Sequence, residues 1–260
     1  MNKVLLVSVA FAALATDSAM AADVAVVPAP EPASVPVYSR TPVITRFYDW
    51  TGFYLGGRLD YSRAKTDSTT INTATGALDA SFSGSTSNFR GGGQAGFDYM
   101  LPLRVVIGVV ADVTTGNDAI TTFSNAAGTN VHSEESKTTV GGSVRGRLGY
   151  AFASVLLYGT GGWAWTAATA TRTQIVGKTG AANAGVRESG PADLNGWTAG
   201  AGLSYGFWRN WEVFGEYRYT SFQSINVTFP LAQRSTTSTT TANSIAAGLN
   251  FKFDPFMTRY

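Results

Sequence analysis

From Trp50 onward, apolar and polar side chains alternate along the chain, and this period of two constrains the fold more than any other feature. Successive side chains of an extended strand point to opposite faces, so alternation indicates a strand between two different environments. In the first such segment, Phe53 and Leu59 share one face. Arg58 and Asp60 share the other. The pattern therefore predicts strands with one apolar face and one charged face.

The alternation recurs in eight segments, each close to the roughly 9–11 residues that a tilted strand needs to cross a bilayer. After the first segment, the expected strands run at about 88–101, 104–114, 138–151, 154–167, 195–207, 211–221 and 243–253. The fifth, 154–167, is apolar on both faces, so its sequence leaves open which face points inward.

The connections between these segments alternate in length. Short turns are expected around Pro102, Ala153 and Arg209, whereas the other four connections cover 64–87, 115–137, 168–194 and 222–242. Loops this long are unusual in compact soluble domains, but short periplasmic turns with long extracellular loops are typical of bacterial outer-membrane barrels. We therefore predict an all-β fold: an eight-stranded antiparallel up-and-down transmembrane β-barrel with its long loops on the extracellular side.

Composition argues against several other classes of protein. The internal sequence has no run of roughly 18 apolar residues, which a membrane-spanning helix would need. The formal charge of +2 comes without a Lys/Arg cluster, so no nucleic-acid partner is expected. The chain has no Cys, which excludes disulfides and thiolate metal sites.

The N-terminal region has the features of an export signal followed by a linker. Lys3 precedes an apolar stretch, and Ala19-Met20-Ala21 forms a small-x-small cleavage site, so we predict a signal peptide at 1–21. Five prolines at 22–46 favour an extended periplasmic linker. The barrel is expected at 47–253, followed by a C-terminal extension at 254–260.

A soluble barrel of the lipocalin type would reverse these faces and turn the charged residues toward water. Aromatic residues near the strand ends on the apolar face argue against that alternative, because membrane barrels carry such girdles at both interfaces. The charged face is then expected to fill the lumen as a paired network. Its members are Arg58, Asp60, Arg90, Asp98, Asp112, Arg145, Arg147, Glu216, Arg218 and Lys252. A polar conduction path through these residues is the functional alternative.

Catalytic chemistry is not expected from this sequence. The single histidine, His132, falls in the second long connection, where a solvated position is the expectation. A nucleophile needs a positioned base, and no second His or supporting constellation is present. We predict no enzyme activity, no metal site and no cofactor. Haemin ligation by His132 or a loop Tyr, or binding of a host ligand by the surface loops, is left as an alternative.

Several stretches resemble the small outer-membrane immunogenic proteins of alphaproteobacteria, a family of barrels similar to the membrane domain of outer-membrane protein A. They are WTGFYLGGRLDYS at 50–62, VRGRLGYAF at 144–152, LYGTGGWAW at 157–165, EYRYTSF at 216–222 and GLNFKF at 248–253. The resemblance implies an outer-membrane protein that supports envelope integrity and exposes its loops, with haemin binding in some members.

The same resemblance implies partners and an assembly signal. Expected partners are outer-membrane lipid, lipopolysaccharide and the barrel-assembly machinery, and the protein is expected to be a monomer. The family typically ends at an aromatic residue of the last strand, which the assembly machinery reads. Here Phe253 holds that place but 254–260 follow it, so the signal is Phe253 or Tyr260.

Overall fold

The computed structural model describes residues 48–126 and 130–253. The predicted signal peptide, the linker and the C-terminal extension with Tyr260 lie outside these residues. Among the described residues, no helix is long and apolar enough to cross a membrane.

In the part of the chain that the structure describes, eight long strands form a closed antiparallel ring, and four short strands lie at one of its ends. The strands are β1 (Gly52–Asn72), β2 (Leu78–Met100), β3 (Val105–Ala126), β4 (Asn130–Phe152), β5 (Val155–Val176), β6 (Lys178–Thr179), β7 (Ala182–Asn183), β8 (Arg187–Pro191), β9 (Leu194–Trp208), β10 (Trp211–Phe222), β11 (Ile225–Phe229) and β12 (Arg234–Phe253). The ring order is β1-β2-β3-β4-β5-β9-β10-β12, and β1 closes it by pairing with β12. The predicted fold class is confirmed.

Three tight connections lie at one end of the ring, between β2 and β3, β4 and β5, and β9 and β10, as predicted. Arg104 and Ala153 adopt positive φ values of 64° and 53° there, which lets the chain reverse within a few residues. We call this end the periplasmic end and the opposite one the outer end.

The four long connections differ from irregular loops, because most of their residues continue the strands. β1 pairs with β12 from Phe53↔Phe253 up to Asn72↔Arg234, so this ladder runs far past the predicted strand ends. These upper parts of the strands are rich in Thr and Ser, and their inward hydroxyls pair across the ladder, as in Thr70 with Thr236 at 2.9 Å. Hydropathy alternation is lost there because both faces are polar, although the backbone pairing persists.

The fifth strand of the ring, β5, has a definite facing. Leu156, Tyr158 and Thr160 are buried inside the barrel. Leu157 and Trp163 point outward and are about half exposed, at 51% and 49%. Its inner face is thus apolar near the periplasmic end, where apolar residues can also fill the lumen.

An apolar belt surrounds the middle of the barrel. Outward residues such as Leu59 and Phe89 are 70% and 79% exposed, which no water-soluble surface would favour over several strands. Aromatic pairs mark both edges of the belt: Phe53 with Phe97 and Trp211 with Phe251 at the periplasmic end, and Tyr61 with Phe89 and Trp197 with Tyr219 toward the outer end. Such girdles are those of a membrane barrel.

Candidate functional site

The lumen holds two layers of paired charges, and the layer nearer the outer end is centred on Arg145 and Asp112. We call it the upper charge layer. Arg145 donates to Asp112 at 2.9 Å and also pairs with Glu216. Arg58 donates to both carboxylate oxygens of Asp60, at 2.8 and 2.7 Å.

Arg218 ties the two halves of the upper charge layer together. One of its nitrogens lies 2.9 Å from Asp60, and another lies 3.2 Å from Asp112. Three arginines thus face three carboxylates across the barrel axis, and the side chains of Arg58 and Arg145 are fully buried. Alternation on β1, β3, β4 and β10 places these residues inward at matching heights.

The second layer, nearer the periplasmic end, mixes charges with amides; we call it the lower charge layer. Arg147 donates to Asp98 at 2.8 Å and lies 3.8 Å from the ring centroid of Tyr158. Asn250 donates to Glu212 and accepts a 2.8 Å bond from Gln94. Polar bonds thus fill the lumen at this height too.

Gln94 also connects the two layers, because it accepts a 3.1 Å bond from Arg58. Lys252 belongs to the lower layer and donates to the backbone oxygen of Trp50 at 2.6 Å. A chain of hydrogen bonds therefore runs from Arg58 in the upper layer through Gln94 and Asn250 to Glu212 in the lower layer.

Two aromatic residues that precede β1 close the periplasmic mouth of the barrel. Tyr48 and Trp50 are buried in a cluster with Val106, Leu156 and Tyr158, which we call the mouth cluster. The indole of Trp50 is fully buried. The residues just before β1 thus fold into the lumen.

A glycine makes room for this arrangement. A Cβ added at Gly206 would fall on the ring of Tyr48. Lys252 also lies 5.3 and 5.2 Å from the Tyr48 and Trp50 ring centroids, within the range of cation–π attraction.

Above the upper charge layer, toward the outer end, lies a cavity of about 410 Å³, which we call the upper cavity. Its floor includes Asp60, Asp112 and Arg218. Part of its wall is made of Ser and Thr hydroxyls on β1 and β12, and another part is aromatic and aliphatic, including Trp165 and Phe229.

The structure places all ten predicted lumen residues on the inner side of the barrel. Nine lie in the two charge layers, whereas Arg90 is half-buried and lines the upper cavity. The predicted set of lumen residues did not include five inward residues that form much of the network: Gln94, Ser143, Ser204, Glu212 and Asn250. Four of these residues, all but Ser204, could have been predicted from strand parity, because each lies an even number of residues from a predicted charge on the same strand. Phe253 is half exposed on the outer face of β12.

His132 is not in a solvated loop, so that expectation is wrong. It lies on β4, is 6% exposed and lines the upper cavity. Its Nε2 is 3.6 Å from Glu134, which accepts a 2.8 Å bond from Arg172. Burial, with Arg172 nearby, lowers the pKa of His132 to about 4, so its imidazole is neutral at pH 7.

A closed ring of eight strands with an apolar, aromatic-edged outer surface and a charged interior defines an outer-membrane β-barrel protein of a Gram-negative envelope. The chain belongs to the family of the outer membrane protein beta-barrel domain, whose model matches residues 8–253. Its place is accordingly the cell outer membrane.

Relatives and solved structures agree with this assignment. The chain is 30% identical to the 31 kDa outer-membrane immunogenic protein of Brucella melitensis over 97% of this chain and 100% of that protein. It is 29% identical to the 22 kDa outer membrane protein of Rhizobium leguminosarum, over 78% of each chain. The crystal structure of OprG from Pseudomonas aeruginosa has the same fold with a TM-score of 0.50 and 12% identity, and the match covers 80% of this chain and 98% of that one. The family resemblance read from the sequence is confirmed.

Proposed function

We propose that this protein is a non-conducting structural barrel that supports the integrity of the outer membrane and extends polar β-ribbons beyond its surface. The observation that carries the proposal is the filling of the lumen at three successive heights. These are the upper charge layer, the lower charge layer and the mouth cluster. An eight-stranded barrel has an interior just wide enough for side chains to fill.

Each barrier opposes ion flow for its own reason. An ion at the upper layer would have to separate arginine–carboxylate pairs that are buried and hydrogen-bonded, such as Arg145 with Asp112. Separating a buried pair leaves uncompensated charge, which costs about 3–5 kcal/mol. At the mouth cluster an ion would meet Trp50 and Leu156, which are fully buried and apolar.

Single-channel recording in a planar bilayer tests the closed lumen. Folded protein, identified by its heat-dependent gel mobility, should give no stable conductance steps under conditions in which a large porin gives them. Reproducible steps from the folded protein would instead support the narrow porin-like channel.

The envelope role needs a cellular test. A strain lacking the protein should become more sensitive to detergents and bulky antibiotics, and the intact chain should restore resistance. Unchanged sensitivity in the deletion strain would overturn the integrity role. In this proposal the protein is a monomer without enzyme activity or a resident cofactor, and it contacts lipopolysaccharide and the assembly machinery.

Ligand binding at the outer end is a second candidate function, favoured by the upper cavity and by the neutral, inward His132. A spectral titration with haemin, comparing the intact chain with His132→Ala, tests the haemin alternative. A Soret shift that is unchanged in the variant would exclude His132 as a ligand.

A further inference from the structure

We propose, beyond the structural role above, that the upper cavity takes up a small, uncharged, amphipathic molecule through a seam in the barrel wall between β8 and β11. The inference rests on three features of the outer end: the chemistry of the cavity wall, the pairing of its charges and the strand pairing around it. At about 410 Å³, the cavity falls within the range of small-molecule sites.

One part of the wall is a ladder of hydroxyl pairs between β1 and β12. The pairs are Thr66 with Thr240 at 3.0 Å, Ser68 with Ser238 at 2.8 Å and Thr70 with Thr236 at 2.9 Å. A hydroxyl has one donor and two acceptor sites, so each pair keeps capacity for a further bond to a ligand. This wall suits a molecule that bears hydroxyl or carbonyl groups.

Another part of the wall is apolar. Trp165, Phe222, Ile225, Val227 and Phe229 all line the cavity. Side chains of this kind favour the apolar body of a ligand, and together with the hydroxyl ladder they define an amphipathic binding partner.

Four of the five carboxylates that line the cavity, all but Glu135, have cationic partners. Asp60 and Asp112 are paired within the upper charge layer. Asp79 lies 2.7 Å from Arg234, and Glu134 is paired with Arg172. A charged ligand would compete with these pairs or be buried without a partner, which is expensive, so the cavity favours a neutral molecule.

The wall of the cavity contains a seam without a backbone ladder. β8 pairs with β5, and β11 pairs with β12. The ladder between β9 and β10 ends at Phe222↔Gly196, and above it no backbone hydrogen bond joins β8 to β11 within the described residues. Parting β8 from β11 therefore breaks no ladder between two strands. The backbone bonds of this region are those from the amides of Ala181 and Ala182 to the oxygen of Leu231, in the turn after β11.

Side chains close the seam instead of a ladder. A Cβ added at Gly190 would lie 3.2 Å from a methyl of Val227, so the two strands touch there. Glu188 accepts bonds from the amides of Leu231 and Ala232, at 2.8 and 3.1 Å. Val227 also lines the cavity, so an opened seam leads directly to the apolar wall.

The binding test uses methylumbelliferyl glucoside, a neutral probe with an aromatic body and sugar hydroxyls. The protein is held in lipid nanodiscs, and binding is followed by fluorescence anisotropy. We expect saturable binding of the glucoside. Methylumbelliferyl sulfate, which carries a charge on the same ring, should bind with an affinity at least about tenfold lower than that of the glucoside. Absence of glucoside binding, or equal binding of the sulfate, would overturn the proposal.

Cavity-filling variants locate the site. Ala170→Trp places a large ring in the cavity and should abolish binding of the glucoside, whereas Thr169→Trp on the outer face of the same strand should leave it unchanged. Ala64→Phe, on the hydroxyl wall, is a smaller filling that should also weaken binding. Each variant is checked by heat-dependent gel mobility. Full binding in folded Ala170→Trp or Ala64→Phe would place the ligand elsewhere.

A disulfide tests the seam. The native chain has no Cys, so Gly190→Cys/Val227→Cys creates a single pair, at positions where a Cβ added at Gly190 lies 3.2 Å from a methyl of Val227. The oxidised form should bind the glucoside about tenfold more slowly than the reduced form, because the seam cannot part. Val227→Cys alone is the control and should not respond to reductant. Equal association rates for the oxidised and reduced double variant would refute access through the seam.

Discussion

Arg145 offers the sharpest test of the closed lumen, because Glu216 depends on it. Arg145 is 1% exposed, and its guanidinium pairs with Glu216 and Asp112. Asp112 also has Arg58 at 3.4 Å and Arg218 at 3.2 Å. Arg145→Met therefore leaves Asp112 with two arginine partners, but it leaves the carboxylate of Glu216 without its arginine inside the barrel. Leaving one buried charge without its partner lowers the free energy of unfolding by about 3–5 kcal/mol.

The double variant Arg145→Met/Glu216→Leu removes both charges of that pair. Replacing a buried ion pair by apolar side chains of similar volume is often neutral or stabilising, so the double variant should be within about 1 kcal/mol of the native protein or above it. Lys65→Ala is the control: Lys65 and Asp67 form a pair whose side chains are 60% and 56% exposed, and such pairs contribute less than about 1 kcal/mol.

Urea unfolding in phospholipid vesicles, followed by tryptophan fluorescence and by gel mobility, measures all four proteins. The single variant should unfold at a lower urea concentration than the native protein, and the double variant should recover. An unchanged midpoint for Arg145→Met would refute the argument that the lumen network is energetically important. A double variant as unstable as Arg145→Met would show that Arg145 and Glu216 do not act as a pair.

Three further predictions follow from the site. His132 has a pKa of about 4 when folded and 6.5 when unfolded, so the stability of the outer end should fall as the pH drops from 6.5 to 4. Hydrogen exchange measures this stability, and His132→Gln should remove the loss of stability above pH 5. Gly206→Ala should displace Tyr48 from the mouth cluster and lower the urea midpoint, whereas an unchanged midpoint would contradict that packing. Phe253→Ala should reduce the amount of folded protein in the outer membrane, and an undiminished amount would assign the assembly signal to Tyr260.

Part of the charged site was predictable because strand parity is a local property. Arg58 and Asp60 stand two residues apart, so any strand through them turns both to one face. Which carboxylate meets which arginine was not predictable, because Asp60 and Arg218 lie on strands that meet only when the ring closes. The burial of Tyr48 and Trp50 in the lumen was not predicted, since both residues precede β1.

The sequence by itself determined the eight strands, their antiparallel order and the division into a lipid-facing and a lumen-facing side. It did so because hydropathy has a period of two wherever one face meets hydrocarbon. Only the tertiary structure decided the length of the strands above the membrane, where both faces are polar and pairing leaves no hydropathy signal. It also decided the facing of β5, the inward position of His132 and the seam beside β11, since each depends on contacts between segments distant in the chain.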